Sequence, residues 1–388
     1  MKTPMTRRNL VLRTLLVSAS ARLAPSVLAA QTTSKSTGTG TRLRVAICGA
    51  GGRGKAAVCE PTSARSLRQS FMRVLMRKQI HTALLLATIA AGLIPTGFAA
   101  DLTPVSDAIR ASVAAALPSP AEAAKPKKPR RLLVFHRTEG YVHSCILVAN
   151  HALTEMGRAT GAYAVETSTD MEAFTLENLA RFDAVLFNNS TRLKFAEEKN
   201  REALMVFLTR GGGLVGIHAA GDNFYEWDAA CAALGGLFDG HPWLSSGTWA
   251  VKLDEPAHPA NAPFKGRGFW INDEIYQFKA PYSRNTHRVL LSLDMGKPEN
   301  LAVKGIKRTD GDFPISWLKH AADGRARVFY CSLGHNEHVY SNPAVLRHYL
   351  AGIQWALGDR EMPDSPSASL PGTPQPALAP EAPAPGRG

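Results

Sequence analysis

Apolar runs of strand length alternate with amphipathic stretches over residues 132–358, and this part of the chain predicts a packed core. Predicted strands span 131–136, 163–167, 183–188, 213–218 and 327–331, and predicted helices span 144–159, 196–210 and 343–357. Strands that are apolar along their whole length and alternate with helices indicate a parallel sheet covered on both faces. We therefore predict an α/β fold, a three-layer sandwich with a mostly parallel sheet.

The flanking sequence has a different composition. Residues 101–131 are rich in Ala, Pro and Lys, and residues 359–388 are rich in Pro, Ala and Ser. Such compositions bury little apolar surface. We predict a linker before the domain and a disordered tail after it, with a disordered leader at the N-terminus.

Two export signals precede the predicted linker. Arg7 and Arg8 stand before a short apolar stretch at 10–17, as in a twin-arginine signal. A second signal spans 72–100, with a basic start, an apolar stretch at 80–94 and small residues before a cut after Ala99. The alternative for 80–94 is a short buried helix. The signals predict an exported protein, periplasmic or in the cell envelope, with no stable membrane span after signal removal.

A glycine-rich turn lies between the two signals. Residues 43–54 are an apolar strand followed by a GxGxxG pattern, the turn that cradles a pyrophosphate. A dinucleotide fold needs an acidic residue about 20 positions further on, but none occurs between Glu60 and Asp101. Residues 6–58 resemble the truncated start of an exported Gfo/Idh/MocA-type oxidoreductase. We interpret residues 1–71 as a remnant and predict neither NAD dependence nor a cofactor-binding residue.

The net charge of +13 comes from the leader. Residues 1–131 hold 21 Lys and Arg against 4 Asp and Glu, a balance of +17, whereas residues 132–388 hold 24 against 28, a balance of −4. A mildly acidic domain lacks the basic footprint that nucleic acids require. Cys145, Cys231 and Cys331 show no CxxC spacing, which excludes a disulfide framework and a zinc finger but leaves a single bridge open.

Polar residues stand at the carboxyl ends of the predicted strands, where parallel sheets place their binding sites. These residues are His136, Asn188, Asn189, His218 and the loop 334–336. Eleven of the twelve histidines lie in 132–388, and imidazole is suited to proton transfer near neutral pH. We expect His151, His320 and His348 to be surface or packing residues.

The segment 211–222 is the most informative motif. A strand runs into His218 with small residues on both sides, which permits the sharp strand-to-helix turn of a nucleophile elbow. The elbow holds histidine and not a thiol, so a cysteine-dependent amidotransferase mechanism is excluded.

Six motifs in order carry a family resemblance: 138–144, 211–222, 240–242, 273–276, 324–335 and 352–356. Over residues 132–358 the chain resembles the ThuA-like (trehalose utilisation) family. The resemblance implies a flavodoxin-like, class I glutamine amidotransferase-like fold that has lost the amidotransferase nucleophile. It also implies a role in the use of trehalose or related disaccharides, beside Gfo/Idh/MocA-type oxidoreductases. Tyr141 and Val142 replace the family's usual Phe-Arg in the opening loop.

The matched motifs define the candidate site. The predicted catalytic residues are His218, Glu274, His335 and His143, and the predicted substrate-binding residues are Asp222, His241, Trp243, Tyr225 and Tyr276. A cluster of His and Glu suits general acid–base work. If a partner oxidoreductase first makes a keto-sugar, His218 or Glu274 removes the acidic hydrogen, and His335 or His143 protonates the departing glycosidic oxygen. This hypothesis predicts a carbohydrate-active hydrolase or lyase.

Several alternatives stay open. Three or more histidines with carboxylates can bind a divalent metal, but no HxH or HExxH pair occurs, so no metal ligand and no cofactor is predicted. Trp243, Tyr225 and Tyr276 suit a sugar face or a core equally. The competing function is a non-catalytic sugar-binding module of the cell envelope.

Overall fold

The computed structural model describes residues 102–372 and 374–382. Both predicted export signals and the glycine-rich turn at 49–54 lie outside the described residues. Within these two ranges, no helix is long and apolar enough to cross a membrane.

The strands form one large sheet and a small ribbon. They are β1 Arg131–Phe135, β2 Ala164–Ser168, β3 Ala184–Asn188, β4 Gly213–Ile217, β5 Leu237–Phe238, β6 Thr248–Leu253, β7 Phe269–Asn272, β8 Phe278–Lys279, β9 Arg288–Leu293, β10 Pro314–Ala321 and β11 Ala326–Cys331. The nine-stranded sheet has the order β2-β1-β3-β4-β11-β10-β9-β6-β7, and β5 pairs with β8.

Helices alternate with the first strands, as predicted. The α-helices are α1 Asp107–Ala116, α2 Ile146–Thr160, α3 Leu176–Leu179, α4 Glu198–Thr209, α5 Asp228–Leu234, α6 Pro298–Leu301 and α7 Pro343–Ala356. Single 3₁₀ turns span Pro120–Glu122, Met171–Phe174, His218–Gly221, Pro259–Phe264, Glu337–Ser341 and Ser367–Ser369. All five predicted strands and all three predicted helices are confirmed within a few residues at each end.

The sheet is mixed, so the prediction of a mostly parallel sheet holds only for β2, β1, β3, β4 and β11. Four strand pairings in the sheet are parallel and the other four are antiparallel. The antiparallel half escaped prediction because buried polar residues interrupt its apolar runs. Ser316 and Lys319 lie inside β10, where Ser316 bonds the His348 ring and the Lys319 ammonium donates to the Ala232 carbonyl.

Apolar side chains cover both faces of the parallel half. On one face Leu132 and Val134 of β1 pack with α2 and α7, and on the other Leu133 and Phe135 pack with α4 and α5. Alternate residues of one strand thus pack into two hydrophobic cores, one on each face of the sheet. This gives the predicted three layers around the parallel strands.

The predicted linker at 101–131 is wrong for the described residues. Val113 of α1 is fully buried, and Val105 and Ile109 pack on the same core. The Gln354 side chain bonds both the amide and the carbonyl of Ala124, at 2.9 and 2.7 Å. The spacing of Val105, Ile109 and Val113 by four residues is a helical signal that the Ala- and Pro-rich composition hid.

The predicted disorder of the tail is also wrong for the described residues up to 382. Ala377 pairs with Leu253 through two backbone bonds of 3.0 Å. The His258 ring donates to the Pro363 carbonyl at 2.8 Å, and Asp294 accepts from the Ala379 amide. An extended, Pro-rich segment has little conformational freedom to lose, so a few backbone bonds hold it on the domain.

Replacing Gln354 by alanine tests whether the segment before β1 belongs to the fold. The change leaves the Ala124 amide and carbonyl without their partner, so we expect the free energy of unfolding to fall by about 1–3 kcal/mol. Chemical denaturation measures it. Gln375→Ala, at an exposed tail position, is the control, and equal stability of the two variants would mean that the segment is not docked.

Candidate functional site

His218 occupies a sharp turn at the carboxyl end of β4. Its backbone is left-handed, with φ +46°, and the 3₁₀ turn His218–Gly221 begins there. A Cβ on Gly216 would lie 2.7 Å from the Tyr330 ring, and one on Gly221 would lie 2.9 Å from the Phe278 ring. The small residues around His218 are therefore needed for packing, and the predicted elbow is confirmed.

The His218 ring is oriented by the end of β11. Its Nδ1 lies 2.7 Å from the Ser332 carbonyl oxygen, and a carbonyl only accepts, so Nδ1 carries hydrogen. Its Nε2 faces Glu274 Oε2 at 3.6 Å and His335 Nδ1 at 3.3 Å. The free nitrogen of His218 is thus directed at the other candidate residues.

Glu274 lies at the centre of the site. Its Oε2 is 3.4 Å from His335 Nδ1, and its Oε1 is 3.2 Å from His241 Nδ1. Burial alone would raise the pKa of Glu274, but the imidazoles of His218 and His335 beside its carboxylate outweigh burial and hold the pKa well below its ordinary value. The carboxylate is therefore ionised and draws three imidazoles towards one point.

A buried carboxylate, Asp273, fixes the loop that carries His335. The amides of Gly334 and Asn336 donate to its two oxygens at 2.6 and 2.8 Å. Burial raises the pKa of Asp273. Burial opposes protonation of His335, but the hydrogen bond and charge of Glu274 outweigh it and raise the pKa of His335.

His143 closes the cluster from the loop before α2. Its ring centroid is 5.0 Å from those of both His218 and His335. Burial, and then the neighbouring imidazoles, lower the pKa of His143 to about 2. Its Nδ1 is buried, and no described residue forms a hydrogen bond with it. Ligand atoms of His143, His218, Glu274 and His335 all lie within 4.8 Å of one another.

The approach to the cluster is polar, with one exposed aromatic ring. A cleft of about 570 Å³ reaches His335 and is lined by Ser144, Asn272 and Ser112 of α1 among others. Tyr141 is 65% exposed although its ring lies 4.8 Å from the His143 ring and nearly parallel to that of His335. An exposed ring beside a polar cleft is suited to the apolar face of a sugar.

Asp222 and Tyr225, after the His218 turn, contact each other and Arg192. The Tyr225 hydroxyl donates to Asp222, and Arg192 Nε lies 3.3 Å from the same carboxylate. The Arg192 guanidinium also lies 4.5 Å from the Tyr225 ring centroid. Burial raises the pKa of Asp222 despite these partners. The substrate-binding role of Asp222 and Tyr225 stays a prediction.

Two predicted substrate contacts have other positions. The prediction for Trp243 is wrong, because its ring is fully buried against Phe313 and its Nε1 donates to the Asn300 carbonyl at 2.9 Å. Tyr276 is also buried, with its ring 4.5 Å from that of His218, so it supports the histidine from behind. His241 is half exposed, with its Nδ1 3.2 Å from Glu274 Oε1, and its role as a substrate contact stays a prediction.

The remaining polar strand ends do not join the cluster. Asn188 donates to the Ile146 carbonyl, and Asn189 donates to the Tyr340 hydroxyl, so both stabilise loops. His348 is buried in packing, as expected. The positioning roles of Asp273 and Ser332 were not predicted from the sequence. Asp273 could have been found, because it directly precedes Glu274 in the same motif. Ser332 acts through its backbone carbonyl, for which the sequence holds no signal.

The arrangement defines a class of protein: an α/β domain whose elbow carries histidine in an imidazole–carboxylate cluster. A family model described as ThuA, trehalose utilisation, matches residues 131–356. The chain therefore belongs to the ThuA (trehalose utilisation) family. No curated protein matches the chain.

Solved structures include similar proteins. A ThuA-like protein from Bacteroides uniformis has 24% identity and a TM-score of 0.47, covering 60% of this chain and 94% of its own. A ThuA-like protein from Parabacteroides merdae has 18% identity and a TM-score of 0.46, covering 59% and 90%. A cytoplasmic protein from Salmonella typhimurium has 12% identity and a TM-score of 0.37, covering 57% and 97%.

The Ser332 contact fixes which nitrogen of His218 carries hydrogen. We expect nitrogen NMR of labelled histidines to show the Nδ1-protonated tautomer for neutral His218, with slow exchange of that hydrogen because the atom is buried. The exposed ring of His320 serves as the reference. A His218 ring protonated at Nε2 alone would contradict the geometry.

Proposed function

We propose that the domain is an enzyme of carbohydrate metabolism that acts on trehalose or a related disaccharide, in its keto form. The observation that supports it is the convergence of His143, His218, Glu274 and His335 at the sheet edge where parallel strands end. Membership of the ThuA family supports a sugar as the substrate, and the cluster of imidazoles and a carboxylate supports acid–base catalysis.

The proposed reaction is an elimination. A ketone makes the hydrogen on the neighbouring carbon acidic, and a base removes it. The C–H electron pair forms a C=C bond while the glycosidic C–O bond breaks, and the departing oxygen takes up a proton. No oxidant or reductant is consumed in this step, because the preceding oxidation made the ketone. Addition of water to the product would complete a net hydrolysis.

Geometry favours particular side chains for the two proton transfers. His218 suits the base, since Ser332 fixes its ring and leaves Nε2 directed into the cluster. The oxygens of Glu274 lie 3.2–3.6 Å from three imidazoles, so this carboxylate is better placed to position those rings than to take a proton itself. His335 suits the acid, because its side chain is 19% exposed and lines the cleft, whereas His143 is almost fully buried.

Amidotransferase chemistry has no support at this site. The Cys145 thiol donates to the Gly334 carbonyl at 3.1 Å, and burial raises its pKa far above the ordinary range. Burial also raises the pKa of Cys331 to about 12 and of Cys231 to about 11. Thiols in this state are poor nucleophiles.

Further parts of the proposal concern fold and setting. The parallel strand order β2-β1-β3-β4-β11 supports a flavodoxin-like half of the amidotransferase-like type. The predicted export signals and the oxidoreductase-like segment at 6–58 support an envelope location and a Gfo/Idh/MocA-type partner that supplies the ketone.

Turnover tests the proposal. The protein is incubated with trehalose and with its keto form, and products are identified by mass spectrometry. We expect product from the keto form only, and a fall of at least about 100-fold in His218→Asn and in Glu274→Gln, as for loss of acid–base groups. His320→Asn, whose ring lies outside the cluster, should keep full activity.

Two results would contradict this function. Full activity in both cluster variants would place the chemistry elsewhere. Saturable heat of sugar binding with no product would identify the sugar-binding module instead, an outcome for which the exposed Tyr141 ring is equally suited.

A further inference from the structure

We infer that His143, His218, Glu274 and His335 together bind one divalent transition-metal ion. Cation binding itself is independent of any substrate; only its use in catalysis rests on the proposed function.

The spacing of the ligand atoms carries the inference. A tetrahedral ion with ligands at roughly 2.0–2.2 Å places those ligands roughly 3.4 Å apart. In the cluster, His335 Nδ1 lies 3.3 Å from His218 Nε2 and 3.4 Å from Glu274 Oε2, and the last two atoms are 3.6 Å apart. Three of the four groups therefore already form one face of a tetrahedron, and the fourth, His143, lies within 4.8 Å of the rest.

Hydrogen bonds around the cluster leave the ligand atoms free and directed. The Ser332 carbonyl accepts from His218 Nδ1, which leaves Nε2 as the available lone pair. His241 pairs with Oε1 of Glu274, which leaves Oε2 for the ion. Outer partners of this kind orient ligands in metal sites. Asp273 adds to them by tying the backbone on both sides of His335.

The unsatisfied ring of His143 is a second, independent observation. Its Nδ1 is buried and has no hydrogen-bond partner among residues 102–372 and 374–382, and buried polar atoms are rarely left without one. One shared cation would satisfy lone pairs that the four side chains cannot satisfy among themselves.

The ligand set selects the kind of ion. Three imidazole nitrogens and one carboxylate oxygen suit Zn²⁺ and its first-row neighbours, whereas Mg²⁺ and Ca²⁺ prefer oxygen. When bound, such an ion would supply Lewis-acid polarisation of a carbonyl oxygen at the cleft. His218 and His335 would then hold the ion, and the acid–base roles given to them above apply to the ion-free protein.

Titration of the full chain with Zn²⁺ and Co²⁺ after chelator treatment tests the site. We expect one ion per chain by calorimetry, a Co²⁺ visible spectrum of the tetrahedral type, and a higher unfolding temperature with Zn²⁺. Glu274→Gln and His335→Asn should each weaken affinity by at least about 100-fold, and His241→Asn by roughly 10-fold, as for an outer partner. His320→Asn, with a surface imidazole, should bind as the unmodified protein does.

Circular dichroism of each ion-free variant shows whether it is folded. If a histidine variant does not fold, Glu274→Gln still tests the site, because glutamine has nearly the same shape as glutamate. No stoichiometric ion, or equal affinity in Glu274→Gln and His320→Asn, would overturn the inference. Binding of one ion without any turnover would support the metal site and contradict the proposed function. Turnover unchanged by chelator, with no ion bound, would support the proposed function and contradict the metal site.

Discussion

The site depends on a strained backbone at His218. A left-handed conformation at a residue other than glycine costs about 1–3 kcal/mol, which the surrounding structure must offset. The last residues of β4 and β11 supply this support, since Ile217 is in register with Cys331 and Gly216 with Tyr330. The Tyr330 hydroxyl donates to the His218 carbonyl at 2.6 Å, and the Ser332 carbonyl accepts from its ring. One strand pairing thus fixes both the main chain and the ring of the central histidine.

The mixed sheet matters because the site needs both of its halves. The parallel half supplies His218 after β4 and His335 after β11, each at a strand end. The segment between β7 and β8 supplies Asp273 and Glu274 from the antiparallel half. Asp273 bonds the His335 loop, and Glu274 faces the rings of His218 and His335. The two adjacent carboxylates therefore connect the halves of the sheet: Asp273 binds backbone amides of the His335 loop, and Glu274 contacts the imidazole rings.

The sequence indicated the parallel half and the elbow because continuous apolar strands and flanking small residues are local signals. The antiparallel half was not predicted, because the buried polar residues Ser316 and Lys319 have partners far away in sequence, the His348 ring and the Ala232 carbonyl. The packing of α1 and of the tail around Ala377 on the domain was also not predicted. The Ala- and Pro-rich composition of these segments indicated disorder, and the helical spacing of apolar residues near α1 is short. Motifs identified all four cluster residues and predicted that they cluster, but not the distances between them or the groups that orient them. The prediction for Trp243 was wrong because the sequence around an aromatic residue beside a motif does not distinguish a buried ring from a ring at a binding site.

We propose that the cluster and the cleft beside it form one reaction centre for a sugar. A crystal structure of the protein with trehalose or its keto form bound would test this proposal. We expect a sugar ring on the exposed face of Tyr141, with an oxygen directed at His335 and Glu274. A sugar bound at another face of the domain, with the four side chains unchanged and out of contact with it, would show that the cluster is not the sugar site.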